Sequence, residues 1–178
     1  MDTQRILKKL NDSRIGFLQG ADAISISQWK TRPTPERWSA AEVTAHLIQV
    51  EKGIVHAASR VIAHEPRSIS VLKRLHLPLF AVEARLIRRK SPIPLDPQML
   101  LEKETMLGEM RRTRDVTFDF LKRTGDRDLH KYCWPHPFLG CLSFYTWFEL
   151  IAAHETRHTK QVKEISAQIP NLVESLQK

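Results

Sequence analysis

The stretch Phe144-Tyr-Thr-Trp-Phe-Glu-Leu-Ile-Ala-Ala-His154-Glu-Thr-Arg-His158-Thr-Lys-Gln161 decides how this chain is read. It sets two imidazoles one helical turn apart, after a run of aromatic and aliphatic residues. Residues i and i+4 of an α-helix share a face, with Cβ atoms about 6 Å apart, so His154 and His158 can converge on one metal ion. The same spacing suits a hydrogen-bonded or partly exposed pair without metal, and spacing alone leaves both open.

The helix that carries this pair is expected to open near Ser143 and to end near Gln168, because Pro170 disfavours helix at Ile169. Working back, Asp126 to Leu142 holds Pro135, Pro137 and Gly140 and reads as a connection. A third long helix is expected from Gln98 to Lys122, with Leu100, Leu101, Thr105, Leu107, Val116, Phe120 and Leu121 as its contacts and Gly125 as its stop. Ser39-Ala-Ala-Glu42 is a capping-box signature, so helix 2 should begin at Ser39 and run to about His64. Val43, Leu47, Val50, Ile54, Ala57, Ala58 and Val61 mark its apolar side. Helix 1 should span Thr3 to Ser27, followed by an extended connection through Pro33 and Pro35. The stretch Pro66 to Lys90, interrupted by Pro78, predicts one or two shorter helices.

Four long helices with no convincing strand pattern predict an all-α, antiparallel four-helix bundle. The thirty-odd residues between helices 2 and 3 permit a crossover, so those two can run parallel. At 178 residues the chain suits a single domain spanning 1–178, large enough to bury a core without disulfides. Its 42% hydrophobic and 27% charged content excludes disorder. The start lacks a secretory h-region, and no apolar run approaches the roughly 20 residues that span a bilayer, so a cytoplasmic protein without membrane attachment is expected. In that reducing setting Cys133 and Cys141 are expected as free thiols. The net charge of +8 favours anionic partners, and Arg67 to Lys90 concentrates it, with seven basic residues against Glu83 alone. No nucleic-acid motif or aromatic ladder accompanies that segment, which reads as a solvated basic face.

Zinc, nickel and iron(II) all accept neutral imidazole, and catalytic sites commonly use three protein ligands. His46 is the best third candidate, since it sits among the core residues of helix 2. It lies about 10 Å from the start of that helix, and His158 about 15 Å from the end of helix 4. Antiparallel packing of the two would bring these levels within about a turn. The tetrad His154-Glu155-Thr-Arg-His158 also matches the His-Glu-x-x-His signature of zinc proteases. The Gly-x-x-His extension is absent, however, as is a strand-rich half to hold a peptide. A di-iron centre needs two Glu-x-x-His pairs and two more carboxylates, and only Glu155-Thr-Arg-His158 is present. A rival cluster is His130, Cys133, His136 and Cys141; the flanking Pro135 and Pro137 favour a loop that lids the bundle mouth instead. His56, His64, His76, His130 and His136 read as structural or surface residues.

Three blocks in order resemble the DinB-like, or DinB/YfiT-type, family: Arg37-Trp38-Ser39-Ala-Ala-Glu42-Val-Thr-Ala-His46-Leu47, Pro135-His-Pro-Phe-Leu-Gly140, and Trp147 to Gln161. The resemblance implies an up-down-down-up bundle in which His46, His154 and His158 bind one divalent metal. It implies a metal-dependent enzyme that activates water or a low-molecular-weight thiol such as bacillithiol or mycothiol, as a hydrolase or thiol S-transferase of small molecules. Cys141 and the basic segment depart from the commoner family pattern. Gln161, one turn past His158, is a candidate to orient an imidazole. Glu155 is a candidate base, although one residue's rotation turns it about 100° from the metal face, so a helix-surface pair is the competing expectation. Trp38 and Trp147 either line the cavity or pack. A small-molecule substrate is expected, a homodimer stays open, and the alternative is a non-enzymatic metal-binding or nucleic-acid-associated stress protein using Arg67 to Lys90.

Overall fold

The computed structural model describes residues 3–66, 95 and 97–176. Its long elements are α1 (Thr3–Asp22), α2 (Ala40–Ile62), α3 (Lys103–Arg123) and α4 (Phe144–Leu176), with a hairpin of β1 (Cys133–His136) and β2 (Gly140–Ser143) leading into α4. The shorter helices expected between Pro66 and Lys90, and the basic segment itself, lie outside the described residues. No helix among those described is long and apolar enough to cross a membrane.

The capping box forms as the sequence requires. Glu42 N–H donates to Ser39 Oγ, and Ser39 N–H donates back to the Glu42 carboxylate. Arg32 ties the same carboxylate from outside the helix. Arg37 reaches across to Gln168 and Glu164 on α4, which anchors the connection before α2 to the opposite helix. At the other end of the chain, Thr146 N–H donates to Ser143 Oγ at the entrance of α4.

The side-chain partners set the helix directions. Along α1 and α4, Lys9 meets Glu149, Arg14 meets Glu155 and Ser166 meets the carbonyl of Ala23, so these two helices run parallel. On α2 and α3, the Val43 to Ile48 level packs with Met106 and Met110, and the Ile54 to Ile62 level with Phe120, so these also run parallel. The two pairs oppose each other, which makes the bundle up-down-down-up, as expected.

The interior is layered. One apolar layer gathers Ile6, Leu10, Ile54, Ala58, Phe120, Leu121, Phe144 and Phe148. The other gathers Phe17, Ala21, Val43, Leu47, Met106, Met110, Val162 and Ile165. Between them each helix contributes one buried charge: Arg14, Glu51, Arg114 and Glu155.

Four boundaries or phases differ from the sequence reading. Helix α1 stops at Asp22, and the chain turns so that Trp29 is buried and its carbonyl accepts from Ala41 N–H. Helix α3 starts at Lys103, after a short 3-10 turn at Pro97–Met99, and Leu101 and Val116 are exposed. Leu107, Phe120 and Leu121 are buried as expected, and the inward face also carries Met106, Met110, Thr113, Arg114 and Thr117, of which the polar three are concealed from a hydrophobicity count. Helix α4 passes through Pro170 to Leu176, losing one i to i−4 bond near its end instead of stopping. The connection before α4 contains the hairpin, in which Pro135 pairs with Cys141 and Gly140 adopts φ 79° at the turn.

Candidate metal centre

On α4, Trp147, Ile151, His154, His158 and Gln161 recur at alternating steps of four and three, a single stripe facing the bundle interior and mouth. His46 on α2 meets this stripe because the two helices are antiparallel and α2 is fixed at its start by the cap. One ligand-capable nitrogen from each of His46, His154 and His158 lies within 4.8 Å of the other two, the one such cluster among the described residues. His46 and His158 are buried and His154 is partly so.

Hydrogen-bond accounting bears on what these nitrogens can hold. His154 Nε2 lies 3.1 Å from His158 Nε2 and 3.3 Å from His46 Nε2. An imidazole nitrogen either donates one proton or presents one lone pair, so His154 Nε2 cannot satisfy both neighbours. His158 Nδ1 lies 2.8 Å from Gln161 Oε1. A carboxamide oxygen only accepts, so Nδ1 keeps the proton and Nε2 is left with a bare lone pair. Tetrahedral zinc with bonds of 2.0–2.1 Å would place its nitrogens about 3.3 Å apart. The donor set therefore fits one transition-metal dication better than it fits a closed hydrogen-bond network. His46 Nδ1 is buried with no hydrogen-bond partner among the described residues, and its ring is held by Trp38, 5.1 Å away between centroids.

Electrostatics favours the same chemistry. Burial lowers the His46 pKa to about 4. Burial also pushes His154 well below its ordinary value, helped by positive charge at His158, His46, Arg157 and His136. Both rings are neutral near pH 7, the state in which imidazole binds metal without first losing a proton.

Glu155 is placed otherwise than expected. It is 1% exposed, which rules out a helix-surface pair. Its carboxylate accepts from Arg14 Nε at 2.6 Å, Ser13 Oγ at 2.6 Å and Arg114 Nη2 at 3.0 Å. Glu51 accepts from the same two arginines and from Thr117. Burial opposes the Glu51 charge, but Arg114 and Arg14 outweigh it and hold the carboxyl below its usual range. These carboxylates hold the bundle's middle layer, so Glu155 is spent on its neighbours and not aimed at the triad. The sequence reading missed this network, although Arg14 stands on the buried stripe of α1 with Leu10, Phe17 and Ala21, where an arginine must find an acidic partner.

The hairpin replaces the rival cluster. Cys133 and Cys141 are joined as a disulfide, with Cα atoms 6.1 Å apart, so neither is the expected free thiol nor a thiolate ligand. His130 packs on Tyr145. Trp134 stacks on Trp147 at 5.2 Å, and Trp147 Nε1–H donates to the Trp134 carbonyl, so Trp147 packs rather than lining open space. His136 also packs against Trp147, with ring centroids 5.1 Å apart.

A helical bundle with a three-histidine cluster bridging antiparallel α2 and α4 is a recognisable class of protein, and this chain belongs to the DinB superfamily, whose profile matches residues 10–162. Among individual relatives, the uncharacterized protein YuaE of Bacillus subtilis (strain 168) is 24% identical over 160 residues, covering 89% of this chain and 96% of the relative. The solved structure of YfiT from Bacillus subtilis, described as a probable metal-dependent hydrolase with an unusual four-helix bundle topology, superposes with a TM-score of 0.65 at 13% identity. That match covers 94% of this chain and 87% of YfiT. At that identity the likeness establishes the fold.

Proposed function

We propose that this protein is a metal-dependent enzyme acting on a small molecule, with His46, His154 and His158 as ligands to one divalent zinc, nickel or iron. The observation that carries the reading is the convergence of three imidazole nitrogens that cannot all be satisfied by one another, one of them locked into its ligand tautomer by Gln161. The cation would supply Lewis-acid chemistry, lowering the pKa of water or of a low-molecular-weight thiol. The protein's part is to keep His46 and His154 neutral by burial, to orient His158 through Gln161, and to wall the site with Trp38 and the hairpin. Three neutral ligands leave the full dication charge available, which suits activation of a nucleophile. The description of YfiT as a probable metal-dependent hydrolase supports the same chemistry.

Elemental analysis of protein purified without a histidine tag should find about one divalent metal per chain, lost in His154→Ala. Stoichiometric metal that survives this change would sink the triad. A screen of the metal-loaded protein with small esters and amides, and with bacillithiol- or mycothiol-type thiols paired with electrophiles, separates hydrolase from thiol S-transferase.

A further inference from the structure

His136 has no part in the metal set, yet the hairpin carries it toward that set. Strand β1 lays two rings on the first turns of α4: Trp134 stacks on Trp147, and His136, two residues on, packs against the same indole. Trp147 and His154 are seven residues apart on one helical stripe. The hairpin thus sets His136 beside the stripe of α4 that carries His154 two turns further on.

Its tautomer is settled by the turn. His136 Nδ1 accepts from Phe138 N–H at 3.1 Å and from Leu139 N–H at 3.2 Å. A nitrogen that accepts carries no proton, so the neutral ring has its N–H at Nε2, on the side away from the turn. Burial lowers the His136 pKa, which keeps the ring neutral and the tautomer single. Nε2 makes no hydrogen bond among the described residues. The disulfide between Cys133 and Cys141 closes the hairpin beneath it, and Gly140 supplies the left-handed turn that lets both backbone N–H groups fold over Nδ1.

We infer that His136 is a substrate-anchoring residue: its Nε2–H donates to an oxygen of a small carboxylate or carbonyl ligand seated at the metal centre. The inference rests on the metal reading above. A charged acceptor forms the stronger hydrogen bond to an N–H, which favours an anionic oxygen, and Leu139 and the half-exposed Phe138, next in the turn, suit a ligand with an apolar body.

Two variants divide the ring's two nitrogens. In His136→Asn the side-chain oxygen can take over the role of Nδ1 in the turn, and the distal donor is gone. In His136→Gln the amide N–H₂ reaches the position of Nε2, and the turn acceptor is gone. The probe is acetate, titrated against Co(II)-loaded protein and read from the Co(II) visible bands, with metal content measured on each variant. All three proteins should hold one Co(II) per chain. Acetate should bind His136→Asn about tenfold or more weakly than wild type, the loss of one hydrogen bond to a charged acceptor, and His136→Gln within about threefold. The opposite order, with Gln impaired and Asn normal, assigns His136 to the turn alone and overturns the inference. So does unchanged acetate affinity in His136→Asn, or wild-type Co(II) bands that ignore acetate. Absence of Co(II) bands in the wild type would remove the metal centre itself, and this inference with it.

Discussion

Replacing Glu155 with alanine separates the two polar systems that meet on α4. Glu155 is 1% exposed, and its partners Arg14 and Arg114 are 5% and 3% exposed, so water cannot substitute for the missing carboxylate. The change removes three hydrogen bonds, two of them from guanidinium groups, and leaves two buried arginines sharing Glu51. A charge-assisted hydrogen bond contributes about 1.5–3 kcal/mol, and breaking a buried pair from one side costs about 3–5 kcal/mol. The upper range applies here, because the layer passes from two positive and two negative charges to a net +1. Against a total stability of about 5–15 kcal/mol this is a large fraction. Urea denaturation of metal-free protein should give a loss of about 3–5 kcal/mol, and thermal melting a drop of roughly 6–20 °C. Glu155→Gln should lose less, since its amide oxygen still accepts. Metal stoichiometry of the folded Gln variant should equal wild type. A loss below about 1 kcal/mol in the alanine variant, or loss of metal in the Gln variant that remains folded, would refute the separation of a load on the bundle from a role at the metal.

Gln161→Ala should weaken metal binding by about 10- to 100-fold while leaving one site per chain, because His158 loses the acceptor that fixes its tautomer; competition with a chromophoric chelator measures this. Metal-free protein should lose stability as pH falls from about 6.5 toward 4. The unfolded chain protonates its histidines near 6.5, whereas folded His46 and His154 resist until lower pH. Below about 4.5, depressed Glu51 extends the loss, because the folded carboxylate holds its charge after the unfolded one is protonated. Denaturation across this range should show His46→Gln with a shallower slope between pH 6.5 and 4. Reducing the Cys133–Cys141 bridge, which spans eight positions, should remove about 2–3 kcal/mol of loop-closure stabilisation, visible as faster amide exchange in the hairpin.

Local signals carried much of the fold. The capping box located the start of α2 within a residue, and the apolar spacing from Phe144 onward located α4. Both signals act within a few residues, so neighbouring side chains express them without help from the rest of the chain. The inward face of α3 was legible only in part: Leu107, Phe120 and Leu121 mark it, but Thr113, Arg114 and Thr117 also face the core, and their burial is comprehensible only when Glu51 and Glu155 arrive from other helices. The hairpin escaped notice because its strands are four residues each and one contains a proline.

The candidate site divides in the same way. The i, i+4 spacing by itself put His154 and His158 on one helical face, and the core pattern of α2 placed His46 inward, because helical periodicity depends on local geometry alone. That these three nitrogens meet was decided by antiparallel packing of α2 against α4. Only the tertiary structure withdrew Glu155 into the charged layer, bonded Cys133 to Cys141, and brought His136 over Trp147, since each depends on a partner distant in sequence or on a strand register.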